Sequence, residues 1–481
     1  MSNKTYRAFI EKLGGVAPGD FQAKEGELFW DAENGVLRVG NGDPGGVIIA
    51  GAGGDSVPSA YGTEITIGTG AGANGVGSFA VVIGKRAGRN SQTNAVAVGN
   101  EAGGYNQQYD SVAVGAYAGK EDLGDGSIAI GHAAGNNNTG EETIAIGYHA
   151  GYTGQQYHAI AIGANAGYEN QKWDAVAIGR AAGNYNQQHQ AVAVGHRAGN
   201  DSQQYGAVAI GPYAGNDSQG EHAVAIGDNA GNESQQYSAI AIGLSAGNYE
   251  QQTHAIAIGD NAGAGSQQVN AIAIGQEAGN TNQGEHSVAI GRSAGANDQQ
   301  ETSVAIGRWA GQTSQGQSSV AIGRHAGLTN QDDGTIAIGD EAGANGQQYH
   351  AIALGNYAGY DVQGWDAIAL GKSAGLDHQG YQAVAIGHRS GQYYQSHEGV
   401  AVGHKSGQYS QGQHAVAIGA YAGQTEQYDN SIVLNASGVE HNAPAPSSFT
   451  VTPVRTVNDT TGLLQLYYNP ATGEIVYYTP V

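Results

Sequence analysis

The stretch that decides the fold is Ala255-Ile-Ala-Ile-Gly-Asp-Asn-Ala-Gly-Ala-Gly-Ser-Gln-Gln-Val-Asn270, and a second version of it begins directly afterwards at Ala271-Ile-Ala-Ile-Gly275. The glycine that closes each such block recurs every 16 residues from Gly99 to Gly419. One unit repeated without insertion is typical of a solenoid, in which each repeat forms a coil that packs on its neighbours. The sequence therefore predicts an all-β fold whose main part is a 16-residue-repeat β-solenoid, or β-roll.

The apolar positions of the repeat predict how the coils are filled. With the glycine numbered as position 5, positions 2 and 4 carry Val, Ile or Leu and position 3 carries Ala, as in Ile272-Ala-Ile274. Alternate residues of a strand point to opposite faces, so both faces of this short strand are apolar. We expect the branched side chains to fill the interior of each coil and the alanines to face outward against a neighbouring copy. This arrangement predicts a parallel homo-oligomer about the long axis of the solenoid.

Two other repeat positions indicate how successive coils are held together. Positions 8 and 9 are Ala-Gly in nearly every repeat, as in Ala278-Gly279, and the glycine permits a tight corner. Position 13 is Gln in every repeat from Gln155 to Gln427. Glutamines stacked one coil apart can donate and accept hydrogen bonds along the stack, which predicts an amide ladder.

The composition divides the chain into a leading segment at residues 1–58, the repeat region at 59–435 and a closing segment at 436–481. In the leading segment, Glu27–Asp31 and Val36–Gly40 flank a turn, which predicts a β-hairpin within a small β domain. The closing segment carries a second predicted hairpin, made of Gly462–Asn469 and Glu474–Thr479. Both segments are expected to cap the open strand edges of the solenoid.

Charge and composition disfavour several classes of protein. The chain has 19 Lys and Arg against 42 Asp and Glu, a net charge of −23, and such a surface repels both nucleic acid and anionic membranes. Without cysteine it has neither disulfides nor thiolate metal sites. No apolar run is long enough for membrane insertion, and Met1–Phe9 lack the apolar core of a signal peptide. We therefore expect no nucleic-acid partner and no membrane insertion.

Several stretches resemble known families. The block Ser/Ala-Val-Ala-Ile-Gly that recurs over residues 65–435 resembles the head repeats of trimeric autotransporter adhesins, which implies a left-handed β-roll and a parallel homotrimer. Gly26–Asp31 and Val36–Gly46 resemble the N-terminal domain of phage tail-fibre and tropism-determinant proteins, and Ser431–Gly438 and Tyr467–Glu474 are similar to the ends of fibre proteins of aquatic viruses. The resemblances imply a virion fibre, on tail or capsid, that contacts a virion protein through its N-terminal domain.

Exposed aromatic side chains are the candidate receptor contacts, because aromatic faces stack on sugar rings. Those at position 15 of the repeat are Tyr157, Trp173, Tyr205, Tyr237, Tyr349, Trp365 and Tyr381. Those of the C-terminal hairpin are Tyr467, Tyr468, Tyr477 and Tyr478. The alternative role of both sets is packing, within a corner, a chain–chain seam or the cap. In the N-terminal domain, the candidate virion contacts are Phe29, Trp30 and Arg38.

The sequence predicts no catalytic, metal or cofactor site. Histidines at position 16, such as His158 and His350, alternate with Asn, Asp, Ser and Glu, which favours a polar corner residue over metal or anion layers on a threefold axis. Gly371-Lys372-Ser373 comes nearest to a phosphate loop, but Asp366 stands where that motif needs its first glycine. We expect a non-enzymatic protein without a cofactor.

The predicted function is a structural fibre of a virus particle that attaches to a glycan or protein of the host surface. The alternatives are a bacterial-type trimeric surface adhesin and a passive spacer that carries a separate tip protein. An ice- or mineral-binding solenoid needs a regular array of one residue type on an exposed face, and positions 6 and 7 vary irregularly instead.

Overall fold

In the computed structural model, the chain divides into two compact units, Met1–Gly346 and Gln347–Val481. The structure describes residues 28–31, 36–39 and 47–50 as strands, and then residues 65–91, 93–458 and 465–477. These residues form β-structure and turns, with about 24 parallel coils of a 16-residue solenoid, as predicted. They contain no helix of the length and apolarity that a membrane crossing requires.

The first strand row of the solenoid is made of repeat positions 2–4. In the first unit its strands are Ile65–Ile67, Val81–Ile83, Val96–Val98, Val112–Val114, Ile128–Ile130, Ile144–Ile146, Ile160–Ile162, Val176–Ile178, Val192–Val194, Val208–Ile210, Val224–Ile226, Ile240–Ile242, Ile256–Ile258, Ile272–Ile274, Val288–Ile290, Val304–Ile306, Val320–Ile322 and Ile336–Ile338. In the second unit they are Ile352–Leu354, Ile368–Leu370, Val384–Ile386, Val400–Val402, Val416–Ile418, Ile432–Asn435 and Phe449–Thr452. Identical repeat positions pair in parallel, as in Ala257 with Ala273.

The second strand row is made of positions 11–13. Its strands are Thr281–Gln283, Asn297–Gln299, Thr313–Gln315, Thr329–Gln331, Asn345–Gln347, Asp361–Gln363, Asp377–Gln379 and Tyr393–Gln395. In most other coils this row is reduced to single parallel bridges, such as Tyr185 with Asp201. The row is less regular than the first because its residues are mostly polar and vary from coil to coil.

The interior of each coil is the reverse of the predicted one. Ala257 at position 3 and Ala262 at position 8 are fully buried, whereas Ile258 and Ile274 at position 4 keep 36% of their surface exposed. The alanines therefore face inward and the branched side chains outward. The reason is lack of room, since a Cβ atom added to Gly263 would lie only 3.2 Å from the Cβ of Ala257. The glutamine amides fill the rest of the coil.

The predicted glutamine ladder is confirmed for most coils. Direct amide-to-amide bonds run from Gln187 to Gln315 and from Gln347 to Gln427, whereas Oε1 of Gln155, Gln171 and Gln187 is buried without a partner. Gln251 is fully buried, and its Nε2 lies 2.8 Å from the carbonyl oxygen of Ile240, 3.2 Å from that of Ala255 and 3.1 Å from Oε1 of Gln267. Its amide thus bonds its own coil and the next one. This matters because a buried amide without partners would destabilise the fold.

Some early coils fill the same interior slot with other residues. Ser91 donates to Oε1 of Gln107, and Leu123 is fully buried in the slot of the next coil. Gln92, which the repeat pattern assigns to this slot, lies outside the described residues. The slot therefore accepts an apolar side chain of glutamine's length.

Glycine at position 5 is required by the close stacking of coils. Gly259 has a φ of +132°, and a Cβ atom there would lie 2.6 Å from the carbonyl oxygen of Gly275. Positions 7, 12 and 16 also adopt left-handed φ values near +55°, as at Asn261, Glu250 and His254, although most of these residues are not glycine. These three corners close each coil.

Short antiparallel strands lie at both ends of the chain. Leu28–Asp31 pairs with Val36–Val39, as the predicted hairpin requires, and Val47–Ala50 adds a third strand that was not predicted. Leu466–Asn469 pairs with Glu474–Tyr477, which confirms the second hairpin.

Candidate functional site

The outward surface of the second strand row is the part of the coil that varies most in shape. Because position 13 points inward, positions 12 and 14 point outward, and position 15 follows at the next corner. Position 14 carries Gln in many coils, such as Gln204 and Gln236, and Gly in a similar number. Where successive coils carry Gly or Ser there instead, a groove opens between the side chains of positions 12 and 15. We call it the position-14 groove.

The second unit contains a position-14 groove of about 470 Å³. Gly364, Gly380 and Ser396 form its floor. One wall is the position-15 column, Trp365, Tyr381 and His397, and the other is the position-12 column, Val362, His378 and Tyr394. A smaller space of about 380 Å³ adjoins it, beyond Ser396 and along Gly412.

The walls of this groove are aromatic, exposed and stacked. Trp365 is 59% exposed and Tyr394 57%. The rings of Tyr381 and His397 stack with centroids 3.8 Å apart, and those of His378 and Tyr394 stack at 5.4 Å. Stacking on a neighbour fixes a ring without covering both of its faces, so the walls present rigid aromatic surface.

The groove of the second unit has no carboxylate and no Lys or Arg among its lining residues. Acidic residues stand just outside it, with Asp361 and Asp377 at position 11 and Asp366 and Glu398 at position 16. The lining therefore contains no carboxylate, ammonium or guanidinium group, and its surroundings are negative. Such a rim repels anions.

The first unit contains a comparable groove of about 650 Å³ over Gly124 and Gly140. Tyr157 and Trp173 line it, with their ring centroids 6.2 Å apart in an edge-to-face arrangement. Its lining is charged, since it includes Asp122, Asp125, Glu141 and Lys172. The two grooves share a backbone origin but present different chemistry.

The structure divides the aromatic residues predicted at position 15 into two groups. Tyr157, Trp173, Trp365 and Tyr381 line grooves. Tyr205, Tyr237 and Tyr349 are 41%, 45% and 51% exposed but line neither of these grooves. All of them lie on the surface, as predicted, while their contact with a receptor stays a prediction.

The other predicted contacts lie in the terminal segments. Tyr467, Tyr468 and Tyr477 are at least half exposed on the C-terminal hairpin, and Tyr478 lies outside the described residues. Phe29 and Arg38 occupy paired positions of the N-terminal hairpin, and Trp30 pairs with Leu37. The side chains of these N-terminal residues are outside what the structure describes.

The sequence analysis missed a second aromatic surface, on the corner made of positions 6 to 10. Tyr148 and His149 stack with centroids 4.0 Å apart, and Tyr152 and Tyr168 stack at 5.0 Å. Burial, together with the charge of His132, lowers the pKa of His149, and burial raises the pKa of Tyr168. Reading positions 6, 7 and 10 together as one corner would have revealed this cluster.

Histidines at position 16 lie at exposed corners beside carboxylates, as the polar-corner interpretation predicts. Nδ1 of His158 lies 3.1 Å from Asp174, and Nε2 of His414 lies 3.1 Å from Glu398. Among the described residues, one group of three places possible metal-ligating atoms within 4.8 Å of one another, namely Asp361, Asp377 and His378. Exposed acidic groups commonly cluster in this way without an ion.

Comparison with known proteins supports the repeat assignment. A family model described as YadA head domain repeat (2 copies) matches residues 252–278, 283–308 and 333–358. Comparison with curated proteins and with solved structures finds no match. The repeat region is thus a β-roll like that of trimeric autotransporter adhesins, and the chain is an adhesin-like fibrous protein of a kind that is typically not enzymatic.

Proposed function

We propose that this adhesin-like chain forms a homotrimer through the outward branched side chains of its first strand row, and serves as the attachment fibre of a virus particle. The observation that carries the proposal is the continuous apolar surface made by positions 2 and 4. Ile130, Ile210 and Leu354 are typical, with 38–40% of their surface exposed. Soluble monomers rarely expose contiguous apolar surface on this scale.

A second copy of the same chain is the partner that fits this surface best. The row repeats Val, Ile or Leu at the spacing of the coils, so a parallel copy presents the same side chains at the same spacing. No charged residue occurs within positions 2–4 of any coil from Val96 to Ile418, although the chain carries a net charge of −23. Association along this row therefore buries no unpaired charge.

Sequence resemblance at the termini supports a virion location. Residues 26–46 resemble the N-terminal domain of phage tail-fibre proteins, so Phe29, Trp30 and Arg38 are proposed to contact a tail or capsid protein. The exposed tyrosines of the C-terminal hairpin and of position 15 are proposed to contact a host surface glycan or protein. A bacterial-type surface adhesin is the second candidate, because the matching family model describes YadA head repeats.

Light scattering on a size-exclusion column tests the association. We expect a mass of three times the 48.9 kDa chain. A monomer would contradict the proposal, because the branched row would then be left facing water.

Immunogold electron microscopy of the producing culture tests the location. Antibody against the purified protein should label fibres on virus particles. Labelling confined to bacterial cell surfaces would instead establish the second candidate function.

A further inference from the structure

Within the proposed attachment function, on which this inference rests, we propose that the position-14 groove of the second unit binds an uncharged polysaccharide. The groove is lined by Trp365, Tyr381 and His397 on one side and by Val362, His378 and Tyr394 on the other. Five of these six side chains carry aromatic rings that are exposed or half-buried, and His378 and Tyr394 stack face to face at 5.4 Å.

The arrangement of apolar and polar atoms suits sugar rings. The C–H groups on the face of a pyranose pack against an aromatic face, while hydroxyl groups around the ring edge need hydrogen-bond partners. The aromatic side chains of the two groove walls supply the aromatic faces. The hydroxyls of Tyr381, Tyr394 and Ser396 and the amide of Gln348 supply polar partners within the same groove.

The groove runs along the stacking direction, since its walls are columns of identical repeat positions in successive coils. Each coil adds one side chain to each wall at a spacing of about 4.8 Å. A chain-like ligand with repeating units can therefore contact several coils at once. A single monosaccharide would use only part of the groove.

Charge selects the uncharged class of polysaccharide. The lining has no Lys or Arg to pair with sulfate, phosphate or carboxylate groups. The carboxylates of Asp361, Asp377, Asp366 and Glu398 surround it. An anionic polysaccharide would meet repulsion on both rims without compensation.

One wall also holds a strained residue. Val362 has a φ of +45°, in the left-handed region that β-branched residues rarely adopt, and is 39% exposed. Position 12 is left-handed in nearly every coil, as at Asn330 and Tyr394, so this conformation belongs to the coil corner and not to the groove alone. Val362 gives the groove wall an apolar side chain at this position. Asn330, at the same repeat position of another coil, has a polar one.

The groove remains accessible in the proposed trimer. Within a coil, Ala369 of the first strand row and Gln379 of the second are both buried between the rows. The outward faces of the two rows therefore point away from each other. Packing of the branched first row leaves the groove open to a ligand.

The test uses the full-length protein on an array that carries neutral gluco-, galacto-, manno- and xylo-oligosaccharides beside sulfated and sialylated ones. We expect retention on a neutral series that strengthens with chain length. Trp365→Ala should weaken it at least tenfold, because it removes a stacking face. Ser396→Gln should do the same, because it fills the floor with glutamine, a residue that other coils carry at position 14.

Tyr237→Ala is the matched control, since Tyr237 is an exposed aromatic residue at position 15 beside Gln236 rather than a groove. Its retention should stay within twofold of the wild type, and the circular dichroism and mass of all three variants should be unchanged. Retention on anionic glycans alone, no retention on any neutral series, or equal binding by Ser396→Gln would overturn the inference.

The attachment function is tested separately by binding of labelled protein to host cells. If wild type and Ser396→Gln attach equally, attachment stands and the groove is not its site. If the wild type binds neutral glycans but no cells, the groove inference stands and the attachment function fails.

Discussion

The two strand rows of each coil differ in what their outward faces do. The first row repeats the same branched apolar side chains in coil after coil, while the second row carries Val362, His378 and Tyr394 at one position in three successive coils. Inside the coil both rows are monotonous, with alanine in the first and glutamine in the second. Because the outward side chains of the first row are of the same kind in coil after coil, a partner must present matching side chains at the same spacing, and a second copy of the chain does so. The outward side chains of the second row differ from coil to coil, so this face can form a local binding site for a ligand.

The largest expected effect comes from placing charge on the first row. In Ile258→Asp with Ile274→Asp, a trimer would bury six unpaired carboxylates, each at a cost of several kcal/mol. We expect the concentration at which the assembly dissociates to rise at least 100-fold, measured by analytical ultracentrifugation. The control is Gln252→Glu with Gln268→Glu, which adds the same charge on the second row. Equal behaviour of the two variants would contradict the difference between the rows.

The interior of the second row is expected to show the next largest effect. Gln251→Leu removes four hydrogen bonds, three that Gln251 donates to Ile240, Ala255 and Gln267 and one that it accepts from Gln235. It should lower the free energy of unfolding by about 4 kcal/mol, at about 1 kcal/mol for each bond. Leu123 shows that leucine fits the slot, so the loss reports the bonds rather than the packing. Denaturant unfolding followed by circular dichroism measures it.

Its control is Gln252→Leu, the same substitution one residue further along the chain, where the side chain faces outward. This variant should stay within about 0.5 kcal/mol of the wild type, as surface substitutions usually do. A similar loss in both would mean that the ladder contributes nothing special.

A substitution at the left-handed residue Val362 is expected to change the stability by less, and to increase it. Val362→Asn should stabilise the protein by about 1 kcal/mol, since asparagine tolerates the left-handed conformation that valine resists. The reverse exchange at the same repeat position, Asn330→Val, with a φ of +54°, should destabilise it by a similar amount. Paired melting curves test both, and a destabilised Val362→Asn would show that the valine side chain is held by packing.

The smallest expected effect is a pH dependence at the aromatic corner. Burial and the charge of His132 lower the pKa of His149, so its neutral form is favoured in the folded state. This contribution is fully present above pH 6.5 and is lost as the pH falls through the lowered folded value. The melting temperature should therefore fall less between pH 7.5 and pH 5 in His149→Phe than in the wild type. An identical fall in both would assign the acid sensitivity to other groups.

Periodicity was enough to predict the solenoid, its repeat length, the glutamine ladder and both terminal hairpins, because each depends on residues that recur or on local turn signals. It could not predict which face of Ile272-Ala-Ile274 points inward, since alternation is symmetrical and both faces are apolar. That choice depends on the volume left by Gln283 and Ala278, which the pattern of a single strand does not contain.

The candidate site was predicted only in part. Trp365 and Tyr381 could be placed on the surface from their repeat position, but the groove beside them arises from Gly364 and Gly380, two residues without side chains. Its signal is visible in the sequence as a run of small residues at position 14. It was missed because the aromatic residues were considered one column at a time.

The in-register pairing of equal positions, such as Ala257 with Ala273, has a consequence for how such a gene can change. Loss or duplication of one 48-nucleotide block joins two coils through the same backbone geometry that every other junction already uses. The reach of the molecule can thus be lengthened or shortened in single coils by recombination between repeats, without redesign of either end. Under selection for a different distance to the target, the number of repeats in the gene could change accordingly.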